Sequence, residues 1–267
     1  MSISNATIKS IAKNILKENY ITSAIVSVIT ISTFFIFVNV AGLFGWAFGD
    51  AASLVVLVLL LLLLLAPLCV GLLRHFWRQS CGVRDNPKGI FYFFSGKSLY
   101  FKALSLVFNL LFRILLIYLI FSIPVFVAKL ISGTWLYSFL DISIPIWTVD
   151  FSNITNFLSG LVIVVTLFSS FRYFLAPMIF VANEDMKVSQ IIRASVAISK
   201  TSFHDFLFFF FSLSGWILLS MLVIPLILTI PYILTSYLVY SSYTVSAFNE
   251  NILKNSQGGV PTFVAGV

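Results

Sequence analysis

The sequence predicts an all-α integral membrane protein, a polytopic bundle of about six transmembrane helices arranged as three hairpins. Hydrophobic residues make up 60% of the 267-residue chain and charged residues only 9%, whereas soluble domains carry about 25% charged residues. Several uncharged stretches reach the ~20 residues that an α-helix needs to cross a bilayer. Basic residues are concentrated between alternate stretches, as in chains that cross repeatedly. We therefore expect one membrane domain over residues 1–267, with a flexible tail at 255–267.

The six predicted spans follow the uncharged stretches in order. They cover residues 21–41, 52–73, 105–128, 157–179, 206–223 and 227–246. Each of the first four stretches has room for one span. The last stretch, between Asp205 and Glu250, accommodates two short spans, with an outer turn predicted at 223–226 and Pro231 early in the returning helix. A single broken span over this stretch is the alternative, so both five and six spans stay open.

Lysine and arginine are unevenly distributed between the two predicted sides of the membrane. The predicted outer loops hold only Lys129, at a span edge, alongside Asp50, Asp141 and Asp150. The other side carries 14 of the 16 basic residues: Lys9, Lys13, Lys17, Arg74, Arg78, Arg84, Lys88, Lys97, Lys102, Arg172, Lys187, Arg193, Lys200 and Lys254. Because cytoplasmic loops carry the excess of basic residues, we predict that both termini are cytoplasmic. We therefore attribute the net charge of +7 to the basic cytoplasmic segments of a membrane protein, and no nucleic-acid partner is expected.

Short amphipathic or aromatic segments precede the odd-numbered spans. In the first segment Lys9, Lys13 and Lys17 form one row at i, i+4 spacing, and its apolar residues lie away from that row. The second segment, residues 86–102, mixes aromatic residues with lysines, and the third covers residues 187–200. Basic amphipathic helices lie at the headgroup level and attract anionic lipids. We expect short cytoplasmic surface helices whose partners are the bilayer and its anionic headgroups.

Two spans end on the same tripeptide, which raises the question of an internal repeat. Leu-Ala-Pro occurs at residues 65–67 near the end of span two and at residues 175–177 near the end of span four. A true repeat would make the protein three related hairpins, each opened by a surface helix. Chance similarity between apolar sequences built from few residue types is the alternative.

The chain shows no motif for catalysis, nucleotide binding or metal binding. The two histidines, His75 and His204, stand beside basic or polar residues, and no group of metal-ligating residues is visible in the sequence. All nine acidic residues fall in predicted loops or at span edges, so paired carboxylates inside the membrane are not supported. We expect a protein that is not an enzyme, with no catalytic residue, no metal and no cofactor.

Two arginines interrupt predicted spans. A charge at the bilayer centre costs roughly 2.5–3.5 kcal/mol on insertion scales and often marks a functional site. Arg113 and Arg172 either extend toward the headgroups or contact an anionic lipid or substrate. Prolines interrupt or end the spans at Pro67, Pro124, Pro177, Pro225 and Pro231. They produce kinks whose freed carbonyls need other donors, or a discontinuous helix that forms a substrate site.

One segment of the chain, from "YFLAP" to Tyr240, contains a recognisable set of residues: Tyr173, Pro177, Ser195, Ser212, Gly215, Trp216, Pro231, Tyr232, Thr235 and Tyr240. In these residues the segment resembles a bacterial multi-spanning family known as domain of unknown function 975. It covers about a quarter of the chain. These residues are expected to be structural, and the small residues around Gly215 suit close helix approach. The chain departs from the family pattern at Asn183-Glu184-Asp185. The resemblance implies a multi-pass protein of the bacterial cytoplasmic membrane.

Two functional hypotheses follow. The first is a non-enzymatic membrane protein that acts through interaction with lipid or with other membrane proteins, because basic surface segments are present without a catalytic or ion-coupling group. The alternative is a component of a permease or exporter, or a self-protection protein, for a hydrophobic or peptide substrate. Arg113 and the interrupted spans motivate this alternative.

Overall fold

The computed structural model describes residues 4–83, 85–131 and 152–255. Throughout these residues all regular structure is helical, which confirms the predicted fold class. Asp141 and Asp150 of the predicted outer loop, together with Arg84 and the predicted flexible tail from residue 256 onward, lie outside the described residues. The chain divides into two compact units, Asn109–Arg172 and the remainder, and the larger unit contains both cavities described below.

The α-helices follow one another in a simple order. They are α1 (Asn5–Phe48), α2 (Asp50–Leu60), α3 (Ala66–Ser80), α4 (Lys97–Ile131), α5 (Ser152–Ser170), α6 (Ala176–Ala182), α7 (Val188–Thr201), α8 (Phe203–Leu219) and α9 (Val223–Asn255). A π-helical turn, Leu61–Leu65, joins α2 to α3, and 3₁₀ helices occupy Pro87–Phe94 and Phe171–Tyr173.

Within the described part of the chain, five segments are long and apolar enough to cross a membrane. They are Asn5–Phe48, Asp50–Ser80, Lys97–Leu130, Asn153–Ala182 and Pro225–Glu250. Helices α7 and α8 add a sixth only when taken as one broken unit, because the chain bends by 88° between them. The protein is therefore a multi-pass membrane protein with five or six long apolar helical segments.

The predicted surface helix and first span are joined in α1. The helix is interrupted only at Asn19, whose φ of −124° and ψ of 23° are not helical. Before this kink, Ile8, Ala12 and Leu16 are buried. Ile8 and Ala12 belong to the apolar set that the sequence pattern separates from the lysine row, whereas Leu16 lines the same cavity as the lysines. The Ser4 hydroxyl accepts a hydrogen bond from the Thr7 amide and caps the helix at its start.

The second predicted surface segment differs from expectation. Only Pro87–Phe94 forms a separate helix, of the 3₁₀ type, and Lys97 already belongs to the long helix α4. The Asn86 side chain accepts from the Lys88 amide at the start of the 3₁₀ helix, and proline at its first position needs no amide partner. The segment packs on α3 and buries Phe93 completely, whereas Phe91 and Phe94 stay exposed.

Both Leu-Ala-Pro sequences lie where a non-α turn gives way to an α-helix with proline at its second position. Pro67 offers no amide to the carbonyl of Leu63, and the Tyr100 hydroxyl donates to that carbonyl at 2.8 Å. At the second site the Tyr237 hydroxyl donates to the Phe174 carbonyl at 2.6 Å. Each proline-disturbed backbone is thus capped by a tyrosine from a later helix, as the need to satisfy freed carbonyls predicts.

The turn between α8 and α9 corrects the prediction of an outer turn at 223–226. Helix α8 ends at Leu219, and α9 already begins at Val223, so the turn consists of residues 220–222. Pro225 is then the third residue of α9, where backbone amides have no partner within the helix and proline is tolerated. Pro231 lies inside α9, early in the returning helix as expected.

Candidate functional site

A cavity of about 730 Å³ opens between the first part of α1 and the hairpin formed by α8 and α9. One side is lined by Lys9, Lys13 and Lys17, the lysine row of α1. The opposite side is lined by Trp216 from α8 and Tyr232 from α9. We call this space the lysine cavity. Its volume lies within the 300–1,000 Å³ typical of ligand pockets.

The lysine row is held against α8 at one end and free to contact a ligand at the other. The Lys9 ammonium group donates a 2.6 Å hydrogen bond to the Ser212 carbonyl and is partly buried. Lys13 and Lys17, one and two turns further along the same face, are exposed. The cavity wall on α1 therefore carries positive charge along about 12 Å of helix.

The opposite wall is apolar and aromatic. The rings of Trp216 and Tyr232 lie 4.6 Å apart between centroids, and the short turn between α8 and α9 brings them together. Leu228 of α9 also lines the cavity and is 49% exposed, and Tyr20, 51% exposed, adds an aromatic ring from α1. Cationic side chains facing an apolar aromatic wall suit a ligand that combines an anionic group with a hydrophobic part.

The residues that carry the family resemblance fall into two groups. The first group is at the lysine cavity: Trp216 and Tyr232 line it, and the Ser212 carbonyl accepts the hydrogen bond from Lys9. The others lie elsewhere in α6 to α9 and the preceding 3₁₀ helix: Tyr173, Pro177, Ser195, Gly215, Pro231, Thr235 and Tyr240. Ser195 and Thr235 are fully buried. The expectation of close helix approach is wrong at Gly215, because a side chain there would meet open space.

Arg113 and Arg172 do not take part in the lysine cavity. Arg113 lies on an exposed face of α4, and Arg172 is exposed in the 3₁₀ helix Phe171–Tyr173. Both belong to the unit Asn109–Arg172. A role for either arginine in contacting an anionic lipid or substrate stays a prediction.

A second group of charged residues ties four segments together around Glu184. The Arg74 guanidinium donates to Glu184 Oε1 at 2.7 Å and lies 3.5 Å from the centre of the Tyr92 ring. The Tyr92 hydroxyl donates to Glu184 Oε2 at 2.9 Å, and Lys102 donates to the Glu184 carbonyl at 3.1 Å. Burial, and then the Glu184 carboxylate, raise the pKa of Tyr92 above its usual value. This Glu184 network joins α3, the 3₁₀ helix, α4 and the segment after α6.

A buried polar chain connects α1 to the end of α3. The Ser23 hydroxyl donates to Gln79 Oε1 at 3.0 Å, and Gln79 Nε2 lies 2.9 Å from His75 Nε2. Because an amide nitrogen only donates, His75 Nε2 accepts and its proton is on Nδ1. That nitrogen faces Asp85 Oδ2 at 3.4 Å. The side chains of Ser23 and His75 are fully buried, so this chain fixes how α1 packs on α3.

The sequence did not reveal these side-chain partnerships. Lys9 and Ser212 are 203 positions apart, and Arg74 and Glu184 are 110 apart, so no local pattern links them. The only available signal was the scarcity of charge: each isolated acidic residue in an apolar chain needs a nearby partner. Among the described residues, no three His, Cys, Asp or Glu side chains come together in a way that could hold a metal ion.

Comparison of the chain with protein-family models, with curated proteins and with solved structures finds no match. The resemblance to domain of unknown function 975 therefore stays a prediction.

Proposed function

We propose that this protein binds anionic lipids in a bacterial cytoplasmic membrane and acts through that interaction rather than as an enzyme. The observation that carries the proposal is the lysine cavity, where three cationic side chains face Trp216 and Tyr232. A lipid phosphate would contact Lys13 and Lys17, and an acyl chain would lie against the aromatic wall. The distribution of basic residues favours cytoplasmic termini, and on that side anionic headgroups would attract the basic segments.

The charges of the cavity favour an anionic amphiphile as its ligand. Each lysine near an anionic surface contributes about 1 kcal/mol, so Lys13 and Lys17 together contribute about 2 kcal/mol to binding. Lys9 is already engaged with the Ser212 carbonyl and positions the row. The exposed apolar surface of Leu228 and Trp216 adds the hydrophobic term, since burying apolar area is favourable. A neutral lipid would gain only this second contribution.

Binding of a fluorescent short-chain phosphatidylglycerol to the full-length protein in detergent tests the proposal. Replacing both Lys13 and Lys17 by Gln is expected to weaken binding about 30-fold, the equivalent of about 2 kcal/mol. The matched control replaces the exposed Lys88 and Lys200 by Gln, which removes the same charge elsewhere. An equal loss in the control would show that overall charge, and not this cavity, determines binding.

The hydrophobic wall has its own test. Trp216→Ala is expected to weaken binding of both phosphatidylglycerol and phosphatidylcholine, because it removes apolar contact and not charge. Trp46→Ala is the control, since Trp46 is 91% exposed and belongs to the opposite end of α1. Unchanged binding by the Trp216 variant would rule out the aromatic wall as the acyl-chain site.

The alternative, a component of a permease or exporter or a self-protection protein, is favoured by one observation. The lysine cavity is large enough, at about 730 Å³, for part of an amphiphilic peptide as well as for a lipid. Reconstituted vesicles distinguish the two functions. Release of a hydrophobic peptide across the vesicle membrane that depends on Lys13, Lys17 and Trp216 would favour transport, whereas lipid binding without peptide movement supports the proposed function.

A further inference from the structure

A second cavity, of about 510 Å³, lies where α1 and α8 begin and α9 approaches its end. Asp205, in the first turn of α8, and Glu250, near the end of α9, both line it. Among the described residues no lysine or arginine lines this space. We call it the acidic cavity. Its charge is opposite to that of the lysine cavity, although both are lined by the first turns of α1.

The second observation concerns Tyr240, which also lines the acidic cavity. This residue is only 5% exposed, and its buried hydroxyl makes no hydrogen bond of normal length and angle, with the Thr244 side chain as its polar neighbour. Its ring is stacked on Phe209 with centroids 4.3 Å apart and planes within 12°, so the side chain cannot easily turn away. A serine or threonine hydroxyl can bond to its own helix, but the hydroxyl of a tyrosine lies too far from its own backbone. An unpaired buried hydroxyl is costly unless a ligand completes it.

We propose that the acidic cavity binds an organic ammonium ion, either a soluble amine or the ammonium group of a lipid. Asp205 and Glu250 neutralise its charge, and the Tyr240 hydroxyl oxygen accepts one of its N–H groups. The rings of Phe208 and Tyr243, which also line the cavity, offer faces that attract a cation. A bare metal ion fits poorly, because only two carboxylates are present and the space is far larger than such an ion.

Calorimetric titration of the full-length protein in maltoside detergent tests this proposal with 1,4-diaminobutane and ethanolamine. The uncharged counterparts, 1,4-butanediol and ethylene glycol, are expected not to bind. Asp205→Asn and Glu250→Gln should each lower the affinity for the amines about tenfold, the loss expected for one charged hydrogen bond. Asp185→Asn and Glu18→Gln are the matched controls, because both residues are exposed and line neither cavity.

Tyr240→Phe separates ligand binding from folding. It should lower the affinity for amines while leaving the melting temperature of the unliganded protein unchanged or higher, because a buried hydroxyl without a normal hydrogen bond is removed. Melting curves of all variants without amine identify any loss of affinity that reflects unfolding. Equal binding of amines and diols, or full amine affinity in both carboxylate variants and in Tyr240→Phe, would overturn the proposal.

Nanodiscs of two lipid compositions distinguish a lipid ammonium group from a soluble amine as the natural ligand. If the natural ligand is a lipid headgroup, phosphatidylethanolamine discs should reduce the binding of added 1,4-diaminobutane compared with phosphatidylglycerol discs. If it is a soluble amine, the two kinds of disc should give the same affinity. Absence of amine binding in both discs and in detergent would exclude the site.

Discussion

Gly71 is the position at which the α3 backbone comes closest to the 3₁₀ helix Pro87–Phe94. A side chain at this position would overlap the carbonyl oxygen of Ile90, and this oxygen is held by the helix that contains it. Gly71→Ala is therefore expected to lower stability by about 1–3 kcal/mol, the usual cost of overpacking. Thermal unfolding in detergent measures the change.

The control for this substitution is Gly215→Ala. Gly215 also lies inside a helix, but a side chain there meets open space. Because alanine favours the helix over glycine by about 1 kcal/mol, this variant should be as stable as the parent or more stable. Equal destabilisation by the two variants would contradict the close contact between Gly71 and Ile90.

Glu184 is the residue on which one charged network depends. Glu184→Gln keeps the shape of the side chain but removes the charge that binds Arg74, so we expect a loss of about 1.5 kcal/mol. Partial exposure of the pair, 14% for Arg74 and 27% for Glu184, keeps the value at the lower end for charged hydrogen bonds. Asp185→Asn, at the exposed neighbouring position, should change stability by less than about 0.5 kcal/mol. A neutral effect of Glu184→Gln would mean that the network adds nothing to stability.

The raised pKa of Tyr92 predicts a dependence on alkaline pH. A raised pKa in the folded state favours the neutral phenol, so its contribution to stability is present below the unfolded value of about 10 and is lost as the pH rises through the folded value. The stability difference between the parent and Tyr92→Phe should be constant from pH 7 to 9 and should narrow above pH 10. A difference that does not change up to pH 11 would contradict the prediction.

Among single residues, the sequence indicated candidate functional residues more often than it indicated the contacts between them. The spacing of Lys9, Lys13 and Lys17 identified the charged face of α1, and the resemblance singled out Trp216 and Tyr232. That these two sets line one cavity depends on how α1 packs against α8 and α9, and no sequence pattern encodes contacts across such separations.

Helices α1 and α2 are joined by a single residue, Gly49. Its φ of +90° and ψ of 168° lie in a region that side chains strongly disfavour. Gly49→Ala should therefore destabilise the hairpin by about 1–3 kcal/mol, although no neighbour is within contact distance. Gly42→Ala is the control, because Gly42 is helical and equally uncrowded. If both variants melt at the same temperature, backbone strain at Gly49 is not important.

The positions of the helices were predictable where hydrophobicity and proline determine them. The exact turn positions and the type of helix depend on backbone geometry and were less predictable. The uncharged stretches correctly located the long helices, and the prolines correctly indicated carbonyls that need a foreign donor, such as Leu63. The turn between α8 and α9 was placed three residues too late, because Pro225 is as acceptable in a first helical turn as in a loop. The 3₁₀ geometry of Pro87–Phe94 had no signature beyond an initial proline.

The topology of the whole molecule can be tested by cysteine labelling at three positions between the long helices. After replacement of Cys69 and Cys81 by Ser, single cysteines are introduced at the exposed positions Asp50, Lys88 and Met221. Six crossings predict that a membrane-impermeant maleimide labels positions 50 and 221 in intact cells, and position 88 only after permeabilisation. The 88° bend fits α7 lying along the membrane while α8 enters it. Labelling of position 221 only after permeabilisation would show that α8 does not cross the membrane and would contradict six crossings.

The bond between Lys9 and Ser212 also bears on how the protein is made. A ribosome adds about 5–20 residues per second, so the partner of Lys9 is synthesised roughly 10–40 s after Lys9 itself. Until then Lys9 lacks the carbonyl that it binds in the folded protein, and α1 cannot make its contacts with α9. We therefore expect α1 to reach its final packing only after α8 and α9 have been synthesised. A nascent chain stalled before α8 would expose a basic, apolar helix that membrane quality-control proteases could recognise.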